Sequence, residues 1–143
     1  MRPDWREVPR ESTKGQWASL YVTLNHKGFI VMTKTTYERV AAPAAFLLLF
    51  DTVNNRIGLK PAALSTRNAY PASPSGPQGG RLVRAYRLLQ DYGIVVPETL
   101  QFQNPEIDHD GILILDLRTA RVSPRAANHY RKRERNSQPT EQS

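Results

Sequence analysis

The chain has 143 residues, 39% of them hydrophobic, with 11 prolines, no cysteine and a formal net charge of +7. That length supports one domain or two very small ones, and the lack of cysteine excludes disulfides and thiolate metal sites. No apolar run approaches the ~18 residues of a membrane-crossing helix, and the opening "MRPDWREVPRESTKG" offers no signal-peptide core, so the expectation is a cytoplasmic protein with no membrane partner.

The charge is uneven along the chain. Residues 64–118 carry five positive and six negative groups, residues 21–63 five and two, and residues 119–143 six and two. Excess positive charge attracts polyanions through counterion release, and nucleic acid is the commonest of these. A solvated tail that only keeps the protein soluble is the plainer alternative for the last stretch.

In chain order, residues 17–25 alternate, with Leu20, Val22 and Leu24 on one face, which is the period of a half-buried strand. Asn25-His26-Lys27-Gly28 supplies a turn, with Gly28 free to take positive φ, and residues 29–32 return. A short helix follows, with Thr35 and Glu38 in capping-box spacing and Pro43 as its stop. The run 45–51, "AFLLLFD", reads as a strand buried on both faces. Residues 53–56 make a tight turn into a returning strand, 56–60.

Four prolines and three glycines in residues 61–80 mark a linker or a long surface loop. The strongest helical period covers 81–92, ending at Gly93, and it puts Arg81, Arg84 and Arg87 in an outer row. Residues 94–102 read as extended, and 105–118 as a hairpin turning at Asp108-His109-Asp110-Gly111. Helix, strand, turn and strand thus recur in the same order in both halves. From residue 119 the composition is polar and charged, predicting a disordered basic tail.

No constellation carries catalysis. The carboxylates Glu106, Asp108, Asp110 and Asp116 lack the closing glutamate of a calcium loop, and Asp-His-Asp-Gly is explained by turn formation. His26, His109 and His129 have no metal-ligand spacing. No nucleophile-elbow serine and no phosphate-binding loop is present, so the reading is a protein that is not an enzyme, with no cofactor or metal implied. The candidate chemistry is cationic: Lys27, Lys34 and Arg39 in the first half, and Arg131, Lys132, Arg133 and Arg135 in the tail. These residue types bind phosphates without sequence preference.

Residues 24–61, "LNHKGFIVMTKTTYERVAAPAAFLLLFDTVNNRIGLKP", resemble in layout the AbrB/MazE/MraZ swapped-hairpin family of bacterial DNA-binding proteins. Gly28 falls on the glycine of that family's Gly-Arg-aliphatic pattern, residues 30–32 on its strand and 46–61 on its closing hairpin. Phe29 stands where the family has arginine, and Thr33 where it has proline. The residues themselves predict an α+β fold of short antiparallel strands in hairpins with two helices; the resemblance implies a swapped-hairpin barrel, a homodimer, and binding of double-stranded DNA in transcription regulation. Composition and patterning divide the chain into a flexible 1–14, a folded 15–118 (15–61, which the resemblance makes an AbrB-like unit, a linker at 62–80, a helix plus hairpin at 81–118) and a tail, 119–143. The alternatives are a protein-interaction or structural accessory module, marked by Phe29 and the Arg81 row, and an RNA-associated role.

Overall fold

A computed structural model describes residues 20–124. The strands are β1 (Val22–Leu24), β2 (Phe29–Met32), β3 (Ala45–Asp51), β4 (Arg56–Ala62), β5 (Tyr70–Pro71), β6 (Ser73–Ser75), β7 (Gly80–Arg84), β8 (Leu100–Gln101), β9 (Glu106–Ile107), β10 (Leu113–Asp116) and β11 (Arg121–Val122). Two helices of six residues, α1 (Lys34–Arg39) and α2 (Tyr86–Asp91), complete an α+β fold, with one 3-10 turn at Leu117–Thr119. All strand pairs are antiparallel. They form a six-stranded sheet, β11-β8-β1-β2-β7-β6, and a five-stranded sheet, β5-β3-β4-β10-β9. Both sheets are open among the described residues, and no pairing closes a barrel.

Strand-strand-helix-strand-strand runs without interruption as β1-β2-α1-β3-β4, and the second half follows it as β6-β7-α2-β9-β10 with β8, a strand of the six-stranded sheet, inserted after α2. In each unit the first hairpin enters the six-stranded sheet and the second the five-stranded one. The units meet like on like. β2 pairs with β7, Ile30 opposite Val83, and β4 pairs with β10, Leu59 opposite Leu113. The topology follows the echo in part: β8 has no counterpart in the first half.

Between the sheets lies a single core. Val22, Leu24, Ile30, Met32 and Val83 from one sheet meet Phe46, Ile57, Leu59, Leu113 and Leu115 from the other, all at most 1% exposed. Each such side chain contributes roughly 1.5–3 kcal/mol on burial.

Two turns use the same device. Asn25 Oδ1 accepts from the N–H groups of Lys27 and Phe29, each at 3.0 Å, and Asp108 Oδ1 accepts from those of Asp110 and Ile112, each at 2.9 Å. Gly28 and Gly111 follow at φ +84 and +79. The turn between β3 and β4 is tied by Asp51, which accepts from the Asn54 side chain (2.9 Å), Arg56 Nη2 (2.9 Å) and two backbone N–H groups. The Asn54 amide, and after it the Arg56 guanidinium, hold the Asp51 carboxyl well below the usual carboxylate range. A carboxyl with a depressed folded pKa contributes stability that is complete above about pH 4 and is lost as the pH falls through the folded value. The stability deficit of Asp51→Asn should therefore shrink as pH drops from 7 to 2, read by thermal unfolding across that range.

Both helices close alike. In α1 the N–H of Ala42 reaches the carbonyl of Tyr37 and that of Ala41 the carbonyl of Glu38; in α2, Ile94 reaches Leu89 and Gly93 reaches Gln90. This is the paired C-terminal bonding that favours a left-handed glycine. Gly93 is that glycine (φ +63), whereas α1 uses Ala41 (φ +71). Ala41→Gly should stabilise the protein by about 1 kcal/mol, the strain of a β-carbon at that φ, and raise its melting temperature by about 4 °C.

The structure departs from the sequence reading in several places. The cap of α1 is Thr33, whose hydroxyl accepts from Thr36 N (3.2 Å), while Glu38 pairs with Lys34 at 3.9 Å. Residues 62–80 contain β5 and β6 instead of a plain linker, and the 81–92 helix is a strand followed by a helix. Gly80 explains that break: a β-carbon there would lie 2.9 Å from the Ser75 carbonyl oxygen and 3.0 Å from that of Met32. Only glycine lets β7 approach both neighbours so closely. β3 keeps its expected bounds but is fully buried only at Ala45 and Phe46. Residues 119–124 belong to the fold, with β11 paired to β8 and Ser123 buried; the rest of the expected tail, like the N-terminal 1–14, lies outside the described residues.

Candidate nucleic-acid interface

Strand register defines the outer face of the six-stranded sheet, because directly paired residues share a face. One row crosses all six strands: Arg121, Gln101, Thr23, Val31, Leu82 and Ser73. The next row pairs Phe29 with Arg84. The Arg84 guanidinium sits 5.6 Å from the Phe29 ring centroid and bonds Ser73 Oγ at 3.2 Å. Such stacking holds a guanidinium in place while leaving it exposed.

The pairing of β2 with β7 brings the first turn against the second helix. A β-carbon on Gly28 would lie 2.7 Å from Tyr86 Cα, and the Ala85 N–H donates to the Gly28 carbonyl at 2.8 Å. Lys27 in that turn is thereby joined by Arg84 at the end of β7 and Arg87 in α2, all three exposed. Arg87 holds only a long pair with Asp91, 3.9 Å.

Of the expected cations, Lys27 therefore lies in a turn whose backbone adjoins residues 85–86, between Arg84 and Arg87 in sequence. Lys34 begins α1 at the opposite end of β2, where its stem packs against Gly79 of the β6–β7 turn, and Arg39 ends that helix. The fold does not unite these two with Lys27. Arg131, Lys132, Arg133 and Arg135 lie outside the described residues. The expected outer row of Arg81, Arg84 and Arg87 is split: Arg81 pairs with Met32 on the inner side of β7 and lies 4.9 Å from the Tyr37 ring centroid. Sequence reasoning missed Arg121, taken for tail, and the pairing of Arg84 with Phe29.

Charge separates by layer. The six-stranded sheet with its helices and loops carries seven basic residues (Lys27, Lys34, Arg39, Arg81, Arg84, Arg87, Arg121) against three acidic ones, Glu38, Asp91 and Glu98. The five-stranded layer carries four basic residues against five acidic ones. A polyanion is thus attracted to one side of the molecule. Among the described residues no group of three or more His, Asp or Glu side chains could hold a metal ion, and no helix is long and apolar enough to cross a membrane.

Fold and charge together define an α+β protein of two antiparallel sheets, with most of the positive charge of the described residues in the layer of the larger one. No protein-family profile matches the chain, and comparison with curated proteins and with solved structures gives no match.

Proposed function

We propose that this chain is a DNA-binding protein of the AbrB-like swapped-hairpin type, a transcription regulator that grips phosphates with the basic side of its six-stranded sheet. The observation that carries this is the packing of the turn that holds Lys27 on the segment that holds Arg84 and Arg87, within a layer holding seven basic residues against three acidic. The two hairpin pairs, β1-β2 with β3-β4 and β6-β7 with β9-β10, support it, since paired hairpins are what the resemblance implies. In the second unit β7 runs Gly80-Arg81-Leu82-Val83, the Gly-Arg-aliphatic order that Phe29 interrupts in the first. In this reading Lys34 and Arg39 serve the far end of a duplex, and the tail cations Arg131, Lys132, Arg133 and Arg135 add non-specific affinity.

An RNA-associated role is favoured by one observation, Tyr21 and Phe29 on the basic sheet, where aromatic rings stack unpaired bases. Fluorescence anisotropy with labelled mixed-sequence duplex DNA, competed with single-stranded RNA, separates the two. The DNA reading expects salt-dependent duplex binding that survives neutralising the four tail cations to glutamine. Binding lost with those charges, or displaced preferentially by RNA, overturns it.

A further inference from the structure

Among the described residues nothing covers the outer face of the five-stranded sheet. Register puts Leu49, Gly58, Ile114 and Glu106 in one row across it, with Leu47 and Lys60 in the next and Asp51, Arg56 and Asp116 on the other side. Gly58 contributes no side chain, and a hollow of about 210 Å³ opens above it, lined by Leu49, Ile112 and Ile114 and rimmed by Asp51, Arg56 and Asp108. That volume is below the roughly 300 Å³ at which small-molecule pockets begin. It suits an inserted aliphatic side chain. Leu49 stands beside it, 42% exposed, so knob and hole lie next to each other on one surface, as a two-fold interface requires. The charges point the same way. Lys60 rises from this apolar face, and Glu106 stands at its edge strand, yet neither makes an ion pair among the described residues. Within one chain they are separated by the full width of β10.

We propose that this face binds a second copy of the chain, sheet against sheet about a two-fold axis. Leu49 of each copy enters the hollow over Gly58 of the other, and Lys60 meets the carboxylates of the opposing rim. The contact is independent of the intrachain pairing of hairpins. It turns the two basic six-stranded faces away from each other, leaving both accessible.

Sedimentation equilibrium of the full chain tests this. The expected mass is twice the 16.2 kDa of one chain. Leu49→Asp should raise the dimer dissociation constant at least about tenfold, the effect of a charge at a packed interface centre, with an unchanged circular dichroism spectrum. Lys60→Glu, at an exposed position, should weaken the dimer without altering the melting temperature of the monomer. A chain that stays monomeric at high micromolar concentration, or a dimer indifferent to both substitutions, overturns the proposal.

Discussion

Gly28→Ala should lower the stability of the fold by about 3 kcal/mol, the largest loss expected from any single methyl group in this chain. Two effects add. At φ +84 a β-carbon is strained by the backbone conformation itself, worth about 1–2 kcal/mol. The methyl would also stand 2.7 Å from Tyr86 Cα and 3.1 Å from its nitrogen. Those are backbone atoms that cannot rotate away, so the turn must part from α2, loosening the Ala85–Gly28 bond where the two units join. Gly76 separates the contributions. It sits at φ +76 with nothing within 4 Å of an added β-carbon, so Gly76→Ala should cost only the conformational part, about 1 kcal/mol. Urea unfolding measures both as midpoint shifts at constant slope. Equal losses at the two positions would mean that the first turn is not packed on the second helix.

Replacing Lys27, Arg84 and Arg87 together by alanine should weaken DNA binding more than about tenfold at low salt, equally across sequences. It should also flatten the dependence of log affinity on log salt by nearly three. Counterion release sets this size, since each lost phosphate contact returns about 0.9 to the slope for duplex DNA. None of the three is buried, so folding should survive, as circular dichroism would report. Arg81→Ala provides the contrast. Its guanidinium is engaged with Tyr37 on the inner side, so that change should affect stability before salt dependence.

The sequence announced whatever depends on contiguous residues. Ala45–Asp51 is a strand with the expected ends because an unbroken apolar run between Pro43 and a polar turn leaves little else for it to do. The turns at Asn25 and Asp108 follow from a side-chain acceptor three residues before a glycine. Residues 81–92 misled because two patterns overlap. Val83 serves the strand, while Leu88 and Leu89 serve the helix, and together they imitate one helical stripe. What separates them is Gly80 pressed between β2 and β6, a contact between residues far apart in sequence. The same limit hid the candidate site. Lys27 was legible as a turn cation, but its neighbours Arg84 and Arg87 come from a stretch more than fifty residues onward, joined by the β2–β7 register. Arg121 looked like tail because two-residue strands such as β11 carry no period of their own.

The central claim is that nucleic acid meets the six-stranded sheet at the joint of the two units. Titrating isotope-labelled full-length chain with mixed-sequence duplex DNA, and following backbone amide shifts by NMR, tests that claim most directly. The account predicts shifts that progress through Lys27, Phe29, Arg84, Arg87 and Gln101, with the β3–β4 hairpin unmoved. Shifts confined to residues 125–143, or centred on Leu49 and Ile114, would contradict it.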